Sequence, residues 1–269
     1  MRILVLLFLL YTFAFGKVYY SRVDPYEIRD ISSNVSGQVL YTNENMFGRK
    51  LSNKAFIIID SKLDEDELKS IGDKLKYFKS TLETNQKILT NLRDALKRKK
   101  ENYKRIESLS IKSRVEKDRE FYDVINSENS YLSTLKEINS LKINIADLKL
   151  RTKQLTTHIN DKKISAKGFV LYALKVKPGN VVNMGTPLAT VADVSKAILS
   201  IYLDKDELSN IKDKVIFING KKTKYKISRL SKIADSKNIS KYMAQIIIKS
   251  PKIFSTLVKI ELRDTKNEK

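Results

Sequence analysis

The chain has 269 residues, 31% of them charged, with a formal net charge of +21, one histidine and no cysteine. The missing cysteines exclude disulfides, iron–sulfur clusters and thiolate metal sites, so packing alone must hold the fold. The basic excess would suit an anionic membrane surface or a nucleic acid, but lysines alternate with acids along much of the chain, and most of the excess reads as solvated surface.

Met1-Arg2, the apolar run from Ile3 to Phe15 and the small-x-small triplet Ala14-Phe15-Gly16 before Lys17 have the form of a secretory signal peptide. The run is too short to span a bilayer alone, which takes roughly 20 residues; an uncleaved N-terminal anchor is the alternative. A cleaved chain should be soluble in an exported compartment. Residues 17–30 suggest a short strand, with Pro25 as its breaker. Ile31, Val35 and Val39 to Tyr41, then Leu51 and Phe56 to Ile59, supply two or three more short strands, too few for a stable domain.

From Leu68 the period changes. Leu68, Ile71, Leu75, Phe78, Leu82, Leu89, Leu92, Leu96, Tyr103 and Ile106 recur at alternating steps of three and four, with Asn85 and Lys99 as polar members. No Gly or Pro interrupts residues 73–167, and Asp64 to Glu67 place negative charge at the helix start. A second seam begins with Tyr122, Ile125 and Leu132 and resumes in another frame with Leu141, Ile145, Leu148, Leu155 and Ile159; the slip between Leu132 and Ile138 reads as a stutter. Between the seams lies a serine-rich break, with Ser113 and Glu116 spaced as a capping box. The expectation is an antiparallel coiled-coil hairpin with arms of about 60–65 Å.

After the hairpin the chain repeats itself. Gly168-Phe-Val-Leu-Tyr172 echoes Gly37-Gln-Val-Leu-Tyr41, and Gly179 stands at the same offset as Gly48. Pro178-Gly179 and Gly185-Thr-Pro187 mark turns between short strands. The base of a hairpin returns the chain to its start, so the two halves can pair into one domain. Ile198 to Leu203, Val215 to Ile218, Tyr225 to Leu230, Tyr242 to Ile248 and Leu257 to Leu262 predict further strands, with a short helix at 204–211, in a small β-barrel or sandwich.

These residues resemble the periplasmic adaptor or membrane fusion proteins of the HlyD-like family, which serve tripartite efflux systems. NVSGQVLYTNENMFGRKLSNKAFIIID (34–60) is similar to the first half of their biotinyl-lipoyl-like domain, and ISAKGFVLYALKVKPGNVVNMGTPLATVAD (164–193) to the second, with its P-G-x-x-V-x-x-G-x-P-L feature. Gly37, Gly48, Gly168, Gly179 and Gly185 stand at the turn positions; Lys50-Leu51 replace the V-x-x-G of the first half. The resemblance implies an elongated α+β protein: signal peptide 1–16, N-terminal strand and first lipoyl-like half 17–62, helical hairpin 63–160, second half 161–193, β-barrel 194–264 and tail 265–269. In carrier domains a lysine at the turn between the halves receives the cofactor. Here the hairpin occupies that place, so no cofactor is expected.

The resemblance also implies a place in the periplasm, associated with the inner membrane after signal-peptide cleavage, and partners: an inner-membrane transporter, a TolC-like outer-membrane channel at the hairpin tip, and further copies in a ring. The basic charge adds an anionic membrane surface as a contact, and export argues against nucleic acid. Adaptors of the resistance-nodulation-division (RND) class carry R-x-x-x-L followed by a serine after six residues. Arg105 and Leu109 fit, whereas Ser113 comes three residues early. An adaptor of an ABC-type or type I secretion exporter is the alternative, and a structural or nucleic-acid-binding coiled-coil protein is the alternative of another class. Catalysis has no support: His158, the lone histidine, sits beside a seam position, and hydrolase, zinc-protease and nucleotide-binding motifs are absent.

Overall fold

The computed structural model describes residues 17–235, 238 and 240–264; the expected signal peptide at 1–16 and the tail at 265–269 lie outside them. The described chain begins with β1 (Lys17–Ser32), β2 (Gly37–Thr42) and β3 (Ile57–Ile59), then forms α1 (Lys62–Glu107) and α2 (Arg114–Asp161). It returns through β4 (Lys163–Ile164), β5 (Val170–Leu174), β6 (Val181–Val182) and β7 (Pro187–Leu203). It ends with β8 (Val215–Ile218), β9 (Lys221–Lys222), β10 (Arg229–Ala234), β11 (Tyr242–Lys249) and β12 (Leu257–Arg263).

The helices, 46 and 48 residues long, make a rod of about 70 Å at 1.5 Å per residue. They run antiparallel, tied near the base by Arg151 to Glu67 at 2.8 and 3.0 Å and towards the far end by Lys100 to Glu128 at 2.9 Å. Exposed pairs of this kind contribute little; the seam holds the helices together. In α1 all ten apolar seam residues are buried or half-buried, Asn85 is buried among them and Lys99 is exposed.

The expected stutter in α2 does not exist. Tyr122, Ile125 and Leu132 are exposed on the outside. The less exposed positions, Lys117, Glu120, Val124, Ser127, Tyr131, Thr134, Ile138, Leu141, Ile145, Leu148, Thr152, Leu155 and Ile159, keep one unbroken three-four spacing. Polar residues occupy part of that seam while apolar ones lie on the opposite face, so apolarity alone pointed to the wrong frame.

Two cores lie below the rod. In one, Val35, Val39, Leu51, Phe56, Ile57 and Ile59 meet Leu171, Val176, Val182, Leu188, Ala189 and Val191. Strand pairing joins the two halves directly: Gly37 and Gln38 of β2 face Val182 and Val181 of β6, and Ile57 and Ile58 of β3 face Ile164 and Lys163 of β4. The other core gathers Tyr19, Val23, Leu199, Ile201, Leu203, Ile216, Ile246 and Ile260.

Strands β1 and β7 run through both cores. β1 pairs with β12 over residues 17–22 and with β7 from Val23 onward. Pro25 therefore does not end a short strand: it sits beside a bulge just after the change of partner, where a missing N–H is tolerated. Likewise the strand expected at Ile198 to Leu203 is the second half of β7, which begins at Pro187.

The expected barrel does not close among the described residues. The strand path β10-β11-β7-β1-β12-β8-β9 is open, with β5 attached to β7. β9 is only two residues long, and at the opposite edge the Ser231 hydroxyl receives the Ile233 N–H at 3.2 Å, turning that backbone group to a local partner. The expected strand at Tyr225 to Leu230 begins only at Arg229, and the short helix at 204–211 appears as two 3-10 turns, Lys205–Glu207 and Ile211–Asp213.

Candidate functional site

The far end of the rod is built from the last turn of α1, the six residues 108–113 and the first turn of α2. At the end of α1 the carbonyls lose their helical partners and local donors take over. The Ser108 hydroxyl donates to the Arg105 carbonyl at 2.8 Å, the Leu109 N–H to Ile106 at 3.1 Å, and the Lys117 ammonium to the Glu107 carbonyl at 2.9 Å. Lys117 thus clips the start of α2 to the end of α1.

Ser113 opens α2 with a full capping box: the Glu116 N–H donates to the Ser113 hydroxyl at 3.3 Å, and the Ser113 N–H donates to the Glu116 carboxylate at 2.9 Å. The backbone hydrogen bond from Ser113, with help from Lys112 at 3.1 Å and the Ser113 side chain, draws the Glu116 carboxyl down to about 2. Behind the turn, the rings of Tyr103 and Phe121 meet with centroids 5.8 Å apart, closing the gap between the helices.

Of the three expected tip residues, Arg105 is exposed with no ion pair among the described residues, Leu109 is 44% exposed and Ser113 is engaged in capping. The turn brings all three to one end of the molecule. Sequence reasoning missed two neighbours: Ile111, 86% exposed, and Val115, 78% exposed. Ile111, large and apolar in the serine-rich turn, and Val115, in the first turn of α2, were the signal. Together with Leu109 they make a small apolar cap beside an unpaired guanidinium, a surface suited to docking rather than chemistry.

The five expected turn glycines lie at the other end, in the split β unit. Gly179 and Gly48 do equivalent work: the Gly179 N–H donates to Val39 at 2.8 Å and the Gly48 N–H to Leu171 at 2.9 Å, each crossing to the opposite half. Gly168 donates to Leu51 at 3.0 Å and Gly185 to Ser33 at 2.8 Å. Gly37 is required by space, since a Cβ there would lie 2.7 Å from the Ile59 side chain.

His158 is half-buried at the base of the rod, with Nδ1 3.2 Å from Asp64, which also takes an ion pair from the buried Lys162 at 2.5 Å. Burial pushes the Asp64 carboxyl up, but Lys162 and His158 outweigh it and hold it below its ordinary value. Among the described residues there is no group of three or more His, Cys, Asp or Glu able to hold a metal, and no helix long and apolar enough to cross a membrane.

No protein-family model and no curated protein sequence matches the chain. Solved structures do. MacA from Actinobacillus actinomycetemcomitans is similar over 93% of this chain and 79% of its own, with 17% identity and a TM-score of 0.71. A membrane fusion protein from Streptococcus pneumoniae R6 is similar over 93% of this chain and all of its own, at 11% identity and a TM-score of 0.55. The chain has the fold of the membrane fusion, or periplasmic adaptor, proteins. A MacA–MexA chimaera containing the Pseudomonas aeruginosa MexA α-hairpin domain is also similar, over 93% of this chain and 82% of its own, at 15% identity and a TM-score of 0.60. The similarity therefore takes in the rod and the β base together.

Proposed function

We propose that this chain is a periplasmic adaptor that links an inner-membrane transporter of the RND type to a TolC-like outer-membrane channel for the export of small molecules. The observation that carries the reading is the rod itself: two helices of 46 and 48 residues rise from a β base and end in a capped turn with an exposed apolar surface. A gap between two membranes calls for reach with little entropic cost, and a stiff helical pair supplies it. In this reading the rod is a coiled coil, the split β unit is a biotinyl-lipoyl-like domain that carries no cofactor, and the role is binding rather than catalysis.

Several copies act together as a ring. Supporting this, α2 is apolar on two faces: opposite its seam, Val115, Tyr122, Ile125, Leu132, Ile143 and Leu150 are all exposed. A second rod laid against that stripe would cover it.

The absence of cysteine makes the test direct. A single cysteine at Ser113, carrying a photo-crosslinker in intact cells, is expected to capture an outer-membrane channel. Capture of nothing but cytoplasmic nucleoprotein would remove the adaptor reading and favour a structural coiled-coil role.

A further inference from the structure

The sheet end remote from the rod carries the largest share of the excess charge. Residues 194–263 hold 16 Lys and Arg against 6 Asp and Glu, whereas the helical residues 62–161 hold 22 against 17, so the rod cannot account for the basic balance. The arrangement of this charge is specific. Residues directly opposed in neighbouring strands share a sheet face, and the register Tyr20–Lys259, Arg22–Leu257 and Glu261–Phe217–Lys222 sets out the outer face of β1-β12-β8-β9. On it Tyr20 is 65% and Leu257 69% exposed, and the Arg263 guanidinium lies over the Phe217 ring at 4.1 Å. Glu261 is shared by Lys259 at 2.9 Å and Arg263 at 2.6 Å, two cations on one carboxylate.

The lysines next to this face are mounted on a fixed turn. Asn219 and Gly220 both have positive φ, the geometry of a two-residue hairpin. The Asn219 N–H donates to Lys259 at 2.8 Å, and its side-chain oxygen accepts from the Lys259 N–H at 2.9 Å, pinning the hairpin to β12. Beyond it Tyr225 and Ile227 turn inward against the core, leaving Lys222, Lys224 and Lys226 exposed on alternate positions.

We propose that this face is a docking surface for anionic lipid headgroups. Isolated apolar outcrops among cations, with an exposed tyrosine, suit a headgroup layer; a protein partner would call for a contiguous apolar centre. Lysine is a flexible point charge without the bidentate geometry that favours one fixed carboxylate. The surface is additional to the bridging role and does not depend on it.

Flotation of the purified chain with phosphatidylcholine vesicles, with and without phosphatidylglycerol, tests this. Partitioning is expected to rise with phosphatidylglycerol and to fall with salt. K224Q/K226Q removes two of these charges and should bind roughly 10- to 30-fold more weakly, and Tyr20→Ser should weaken binding as a second, independent probe. The variant Lys76→Gln with Lys97→Gln removes the same charge from the rod and should bind as the parent does. Equal binding to both vesicles, no loss in the strand variant, or an equal loss in the rod variant would overturn the proposal. So would a parent that ignores both vesicles while a crosslinker at Lys224 captures a membrane protein in cells. Vesicle binding without channel capture at Ser113 would keep this inference and lose the bridging one.

Discussion

The backbone N–H of Gly179 donates to the carbonyl of Val39 at 2.8 Å, joining a turn that follows the rod to a strand that precedes it. Gly48 and Leu171 repeat the arrangement in reverse at 2.9 Å. Two halves that are each too small to bury a core therefore hold one another, and the start of α1 and the end of α2 are both held by the same unit at the base of the rod. Gly48 stands at φ 70° with open space around its Cα, so Gly48→Ala should cost about 1–2 kcal/mol of backbone strain. At Gly37 a new Cβ meets the fully buried Ile59, and Gly37→Ala should cost a further 1–3 kcal/mol or so from overpacking. Thermal melts should rank Gly37→Ala as the less stable; the reverse order would contradict the packing described.

Asn85 is a polar residue in an apolar seam, 8% exposed, and its side-chain NH2 has no hydrogen-bond partner among the described residues. Burying an unsatisfied amide costs about 1–3 kcal/mol, so Asn85→Leu should raise stability by a similar amount. Denaturant unfolding measures this directly. Loss of stability would mean that the amide sets the register of the two helices.

The Glu116 carboxyl, drawn from its ordinary 4.5 to about 2, links the tip to pH. The folded state binds this proton less readily than the unfolded chain. The contribution of the cap is thus complete above 4.5 and is lost as pH falls towards 2. Carboxyl NMR should find Glu116 titrating well below its ordinary 4.5, and Ser113→Ala, which keeps the backbone donor and removes only the hydroxyl, should raise it part of the way back.

If the apolar cap docks on a channel, charge there should abolish export without unfolding the protein. Leu109→Asp, Arg105→Asp and Ile111→Asp all fall on exposed positions and should leave the melting temperature within about 2 °C of the parent, as surface substitutions usually do. Normal export by a well-expressed double variant would take the tip out of the mechanism.

The outer stripe of α2 predicts self-association. Ile143→Asp with Leu150→Asp should shift the chain to smaller assemblies in light scattering while preserving helicity, because both side chains are exposed in the single chain. An unchanged assembly would place the contacts between copies elsewhere.

Much of this architecture was legible in local pattern. The α1 seam, the uninterrupted stretch without Gly or Pro, the Ser113–Glu116 cap and the repeated glycine motif are properties of short segments, and short-range geometry decides them. The α2 seam was not legible, because its inner positions include Lys117, Glu120, Ser127 and Thr134 while Tyr122, Ile125 and Leu132 face outward. Periodicity reports that a helix has an apolar face, but when two faces are apolar it does not say which one meets the partner.

The sequence by itself determined a rod inserted into a divided β unit and the residues at its tip. Only the tertiary structure decided that β1 and β7 each thread two cores, that the strand path stays open, and that Tyr20 shares a face with Lys259. Strand partners and faces depend on residues far apart in the chain: β1 leaves β12 for β7 at Val23, and no local signal at Val23 or Pro25 announces the exchange.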